Sequence, residues 1–194
     1  AHPEAALHGR HNVANRRAAI AVLESRGVPV ADTLAALARY AGVKRRQEIR
    51  GEKRNITVMD DFAHHPTAVK ETLQGLKSAH PDNRLVAIFE PRTNTSRRAI
   101  FQQEYVASFS AADLSLIREV AKDKPVDGDD MFSSAQLAED LQNEGLEARA
   151  FGDTDQIIAH VSRIAQPGDI IAILSNGGFD NIHERLLDTL RSTF

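Results

Sequence analysis

From about residue 47 onward, short apolar runs alternate with stretches whose apolar positions repeat at helical spacing. Ile56 to Met59 is β-prone, and Leu85 to Phe89 is a near-continuous apolar run, as expected of a strand buried on both faces. Leu114 to Val120, Ala148 to Phe151 and Ile170 to Leu174 repeat the signal, and the last is the most hydrophobic. Between these runs, Val69, Leu73 and Leu76 share one helix face. Phe101, Tyr105 and Phe109 sit at helical spacing in a segment from about Ser96 to Ser108, and Phe179, Ile182, Leu186 and Leu190 stripe a last helix. Ser133 with Gln136, and Asp153 with Gln156, have capping-box spacing. Pro66 suits a first helical position, while Gly145 and Pro167-Gly168 close elements. Regular β-α alternation predicts right-handed crossovers and a mostly parallel sheet between two layers of helices, an α/β fold of the three-layer αβα kind. Ligands of such sheets bind at the carboxyl ends of the strands, which directs attention to loops 60–67, 90–97 and 175–180.

Residues 1–46 have a different texture. Asn12 can cap a helix whose apolar stretch runs from Val13 to Leu23 and stops near Gly27. Asp32 can cap a second helix, with Leu34 and Leu37 on one face and Gly42 past its end. Two helices without a strand make a poor domain. This segment is expected to be the tail of a preceding domain, with the α/β domain spanning 47–194. The first residue, Ala1 rather than Met, fits a piece of a longer protein. Lys122 to Asp130, Asp-rich with Pro125 and Gly128, is expected to be a flexible surface loop.

Composition narrows the function classes. With 194 residues, 42% of them hydrophobic, the chain can bury a core of ordinary size. A net charge of -3 gives no bulk electrostatic reason to bind nucleic acid. Zero cysteines remove disulfides and thiolate metal sites, which fits a cytoplasmic location. No apolar run of about 18 residues suggests membrane insertion, and no signal-peptide pattern is present.

Four motifs carry candidate chemistry. In Gly9-Arg10-His11-Asn12-Val13-Ala14-Asn15, the amides of Asn12 and Asn15 project from one helix face. An amide offers the donor and acceptor that an adenine edge requires, although Asn12 could equally serve as a simple cap. In Asp60-Asp61-Phe62-Ala63-His64-His65-Pro66-Thr67, Asp61 could accept hydrogen bonds from a ribose, and either histidine could meet a phosphate, metal or carboxylate. Two Asp and two His also suggest a metal phosphoesterase, but Ala63 stands where that class needs its Asp, and no second acid/His cluster follows. In Glu90-Pro91-Arg92-Thr93-Asn94-Thr95-Ser96-Arg97-Arg98, the guanidinium forks suit carboxylates or phosphates. Cations at a helix amino terminus oppose its dipole unless an anion offsets them. In Ser175-Asn176-Gly177-Gly178-Phe179, paired glycines allow close approach of backbone to a ligand, or merely a tight turn. No G-x-x-x-x-G-K-[ST] loop is present and no G-x-G-x-x-G follows a strand, so the domain is Rossmann-like without being a complete nucleotide site.

Together these motifs resemble the Mur ligases, three-domain enzymes that use ATP to join amino acids or peptides to a UDP-linked muramyl carboxylate. The resemblance covers essentially the whole chain. It implies that Asn12 and Asn15 contact adenine, that Arg46 of the Arg45-Arg46 pair reaches the ATP phosphates, and that Asp61 lies on the ribose side. The Asp-Asp-aromatic-x-His-His-Pro-Thr pattern is similar to that of the branch acting on UDP-N-acetylmuramate. Within that branch, the 90–95 and 175–179 motifs look like the peptide-adding rather than the alanine-adding members. This likeness implies a cell-wall tripeptide, L-alanyl-γ-D-glutamyl-meso-diaminopimelate, held by Arg92, Asn94, Arg97, Ser175, Asn176 and Gly177, with His64 or His65 nearer the reacting amine. It also implies ATP and Mg2+, with the phosphate loop, the metal-binding acids and the UDP-binding domain upstream, so that this segment alone has no ligase activity. The alternative within the family is the L-alanine-adding ligase of the same branch, and a non-catalytic nucleotide- or peptide-binding module is the alternative of another class.

Overall fold

The computed structural model describes residues 8–92, 101–119 and 132–192. Its sheet has six strands in the order β1-β2-β6-β3-β4-β5. They are β1 (Glu48–Lys53), β2 (Ile56–Asp61), β3 (Leu85–Phe89), β4 (Leu114–Arg118), β5 (Glu147–Phe151) and β6 (Ile170–Leu174). All neighbours are parallel except β1, which runs antiparallel to β2 at the sheet edge. The helices are α1 (Arg10–Ser25), α2 (Val30–Ala38), α3 (Pro66–Ala79), α4 (Gln102–Ser108), α5 (Ser134–Asn143), α6 (Thr154–Ile164) and α7 (Ile182–Ser192).

Strand alternation divides the core in two. Leu85, Ala87 and Phe89 of β3, with Ile170, Ala172 and Leu174 of β6, pack on the α3, α4 and α5 side. Val86, Ile88, Ile171 and Ile173 face the other way, against α6 and α7. Every residue of β3 and β6 is buried, as their unbroken apolar runs require. Strand β6, last in sequence, inserts between β2 and β3, so the three loops leaving these strands meet at one end of the sheet. The Ser175 N–H donates to Asp61 O at 3.1 Å and the Glu90 N–H to Leu174 O at 3.1 Å, which ties those loops together.

The caps at Ser133 and Asp153 form as their spacing predicts, each side chain accepting the N–H of the glutamine three residues on. Pro66 opens α3, and Gly145 sits past α5 with φ +79°. Other expectations need correction. Asn12 is not a cap: Gly9, φ +103°, holds that position, and its carbonyl accepts the first helical bonds from Asn12 and Val13. Asp32 lies inside α2, with Pro29 at the cap position. Strand β1 was not foreseen, because none of its residues is buried and most are polar; it is turned by Arg54 and Asn55, with φ +54° and +60°. The predicted loop at 122–130, and any helix start at Ser96, lie outside the described residues. Among the described residues no helix is long and apolar enough to cross a membrane.

The two amino-terminal helices barely enter this core. No residue of α1 is buried, and Val13, Val22, Leu23, Leu34, Tyr40 and Val43 are exposed. Besides the His11–Glu71 pair at 3.6 Å and the edge-on contact of His8 with His80, a close backbone approach joins them to the sheet domain. A Cβ on Gly75 of α3 would stand 2.8 Å from Gly9 Cα, so glycine at both places lets the chain entering α1 lie against α3. The Gln47 amide grips the same point, accepting from His8 N at 2.6 Å and donating to His8 O at 2.9 Å.

Candidate functional site

Between α1, α2 and α3 lies a cleft of about 820 Å³. Asn12, Asn15 and Arg16 line it from α1, Leu37, Tyr40 and Val43 from the α2 side, and Thr67, Glu71 and Thr72 from α3. Arg46, Gln47, Asp61 and His65 close its end at the edge of the sheet. The structure thus brings Asn12, Asn15, Arg46, Asp61 and His65 together around one space. Asn12 Nδ2 lies 2.8 Å from His8 O and 2.9 Å from His11 Nε2. Donating to both engages its two N–H groups and leaves Oδ1 as a free acceptor. Asn15 is exposed within the cleft.

Asp60 and Asp61 are adjacent and buried, and strand geometry sends them to opposite faces. Asp61 Oδ2 accepts the Gln47 N–H at 2.9 Å and Oδ1 the Ala63 N–H at 2.8 Å. Burial pushes its carboxyl above the usual aspartate range, against the opposing pull of those N–H groups and of Arg46. Asp60 meets the Arg45 guanidinium, with Nε 3.1 Å from Oδ2, and has His183 Nε2 3.4 Å from Oδ1. Burial raises its carboxyl too, but His183 and Arg45 outweigh that and hold it below the usual range.

The Arg45-Arg46 pair is therefore divided in its tasks. Arg46 lines the cleft, while Arg45 turns away and donates from Nη2 to Ser175 O and, at 2.8 Å, to Gly177 O. The histidines are divided as well. His65 lines the cleft and stacks edge-on against Phe101, ring centres 4.9 Å apart. His64 turns Nδ1 back to Phe62 O at 2.9 Å, and its carbonyl accepts the Tyr105 hydroxyl at 2.6 Å.

The 175–177 loop forms a second locus. Ser175 Oγ donates to buried Glu90 at 2.5 Å and accepts the Gly177 N–H at 2.9 Å. Arg118 holds the other Glu90 oxygen at 2.7 Å and reaches Asp180 at 2.9 Å. Asn176 Oδ1 is buried and has no hydrogen-bond partner among the described residues. The Arg92 side chain lies across Gly177: a Cβ there would stand 2.6 Å from Arg92 Nε. Arg92, Ser175, Asn176 and Gly177 are thus neighbours, whereas Asn94 and Arg97 lie outside the described residues. Sequence reasoning gave no role to Gln47, Glu90 or Arg118, whose side chains meet partners 28 to 85 positions away. Nothing local marks them. Among the described residues no group of three or more His, Asp or Glu is arranged to hold a metal ion.

Comparison with known proteins agrees with this architecture. Residues 45–177 match the profile of the family described as Mur ligase, glutamate ligase domain. The chain is 38% identical over 185 residues to the UDP-N-acetylmuramate--L-alanyl-gamma-D-glutamyl-meso-2,6-diaminoheptandioate ligase of Escherichia coli, covering 95% of this chain and 38% of that protein. It is 36% identical over 187 residues to the UDP-N-acetylmuramate--L-alanine ligase of Desulforapulum autotrophicum, covering 95% of this chain and 40% of that one. The crystal structure of a murein peptide ligase from Psychrobacter arcticus superposes with a TM-score of 0.71 at 39% identity, over 95% of this chain and 38% of that chain. The chain thus spans about two fifths of the length of each of these relatives. A six-stranded, mostly parallel sheet with this family match over more than half its length identifies the chain as a member of the Mur ligase family, in its carboxy-terminal domain.

Proposed function

We propose that this chain is the carboxy-terminal part of an ATP-dependent amide ligase that joins an amine-bearing cell-wall peptide to UDP-N-acetylmuramate. Residues 1–46 are the tail of its central ATPase domain and 47–194 the domain that presents the amine. The observation that carries the reading is the convergence of Asn12, Asn15, Arg46 and Asp61 on one cleft. The fit to a nucleotide is chemical. Asn12 Oδ1 is placed to accept from an exocyclic amine, Asn15 supplies the complementary donor, and Leu37, Tyr40 and Val43 give apolar walls for a base. Arg46 offers a fork for phosphate, and each Asp61 oxygen keeps a lone pair for a ribose hydroxyl. Mg2+ ligands belong to an upstream domain in this reading.

ATP supplies the phosphoryl group that activates the muramyl carboxylate for attack by the amine. This chain orients the amine and excludes water from the reacting centre. In the tautomer that donates Nδ1–H to Phe62 O, His64 offers Nε2 as an acceptor for the amine proton. Arg92, lying across the glycine loop, pairs with a carboxylate of the peptide. The favoured peptide is the tripeptide L-alanyl-γ-D-glutamyl-meso-diaminopimelate, which carries several carboxylates where free L-alanine carries one. A second reading, the L-alanine-adding ligase, is favoured by the 36% identity to such an enzyme.

Substitution of Arg92 separates the two. A charged hydrogen bond contributes about 1.5–3 kcal/mol. In a ligase carrying this segment with its phosphate-loop domain, Arg92→Ala should lower kcat/KM for the tripeptide by roughly ten- to a hundredfold and change any use of L-alanine much less. An equal loss for both substrates would place Arg92 at the shared reacting centre and remove the support for the tripeptide.

A further inference from the structure

The linker between α2 and β1 touches both loci described above. Arg45 and Gln47 have φ of +57° and +50°, a region that non-glycine residues occupy only when their surroundings hold them there. Here the holds are visible. The Arg45 N–H donates to Glu48 Oε2 at 2.8 Å, the Arg45 carbonyl accepts from Phe62 N at 2.8 Å, and the Gln47 N–H is bound by Asp61. Three successive side chains then diverge. Arg46 and Gln47 line the cleft; Arg45 reaches Asp60 and the carbonyls of Ser175 and Gly177.

One further contact joins the two directions. The guanidinium carbons of both Arg45 and Arg46 lie over the ring of Phe62, 5.2 and 5.3 Å from its centre. The negative ring face attracts each cation. An anion in the cleft draws Arg46 toward itself and alters what the ring offers Arg45. Any shift of backbone 45–47 also moves the guanidinium that holds the 175–177 carbonyls. The loop next to Arg45 contains Asn176 Oδ1, buried and without a partner among the described residues, and lies under Arg92, so a small displacement changes the groups presented there.

We propose that Arg45, with Phe62 as the shared contact, is a positioning residue that couples an anionic ligand in the α1–α3 cleft to the conformation of the 175–177 loop. The inference rests on the reading of the cleft as a nucleotide site. Coupling between sites spans about 5- to 150-fold in equilibrium constants, and by linkage acts in both directions.

The test uses a ligase carrying this segment with its phosphate-loop domain, ADP as the probe, and amide NMR. ADP affinity is followed by chemical-shift titration, and hydrogen exchange of the Asn176, Gly177 and Gly178 amides is measured without and with saturating ADP. In the unaltered chain, ADP should change these exchange rates by about fivefold or more. Arg45→Gln and Arg45→Lys should bind ADP within about threefold of the unaltered chain, yet show less than about a twofold ADP-induced change. Both leave Asp60 with His183 and Arg50 as neighbours; Phe62→Leu, which keeps Arg45 and removes the shared ring, provides an independent variant with the same expected loss. A merely structural Arg45 would shift baseline exchange while preserving the ADP-induced ratio, and that result overturns the proposal. ADP that binds while the loop stays silent in the unaltered chain also overturns it and leaves the nucleotide reading intact. Failure of ADP to bind at all removes both.

Discussion

Gly75 is the point at which a single methyl group should take the cleft apart without harming the sheet domain. It lies inside α3, where replacing glycine by alanine favours the helix by about 0.5–1 kcal/mol. An added Cβ, however, would meet Gly9 Cα at 2.8 Å, Gly9 N at 3.0 Å and His8 C at 3.1 Å. All three are backbone atoms, so no side-chain rotation relieves the overlap and residues 8 and 9 must move off the helix. The move breaks the two hydrogen bonds between the Gln47 amide and His8, each contributing about 0.5–1.5 kcal/mol. The lost docking energy is then about 1–3 kcal/mol, larger than the helix gain and located elsewhere. Because α1 supplies one wall of the cleft, the loss should appear in ligand binding. Gly75→Ala should raise hydrogen exchange across residues 10–16 and weaken ADP binding by about five- to a hundredfold. Urea unfolding of the sheet domain should shift slightly upward or not at all. Unchanged exchange and unchanged ADP affinity would refute the reasoning, since the close approach of Gly9 to Gly75 would then contribute nothing to holding α1.

Two further outcomes follow from local geometry. The neighbours Asp60 and Asp61 should titrate on opposite sides of 3.8 in an NMR pH titration, Asp60 below and Asp61 above. Asp60 then contributes stability that is present above its unfolded pKa and lost as the pH falls through its folded value; Asp61 favours the folded state at low pH, a contribution lost as the pH rises through its folded value. Finding both below 3.8 would show that burial does not dominate at Asp61. Asp153→Ala, which removes the acceptor for the Gln156 N–H, should cost about 1 kcal/mol in urea unfolding, and a change under about 0.3 kcal/mol would mean the cap contributes little.

Much of the fold was legible in the chain because its causes are local. Leu85 to Phe89 and Ile170 to Leu174 read as strands covered on both faces, and Ser133 and Asp153 announce their helices by chemistry that acts within three residues. Asn12, Asn15 and Asp61 could likewise be picked out from their local motifs, whereas Arg46 was marked only by the family resemblance. Strand β1 could not, since an exposed edge strand has no apolar periodicity to display. Tertiary structure alone decided which residues share a space. Insertion of β6 between β2 and β3 brings Ser175 to Asp61 and Glu90. The backbone contact of Gly9 with Gly75 sets α1 over the cleft. The division of labour between Arg45 and Arg46 is likewise invisible in an Arg-Arg pair. It arises because Asp60 and Asp61, neighbours on β2, face opposite sides of the sheet, so that Arg45 meets Asp60 while Arg46 shares the cleft with Asp61.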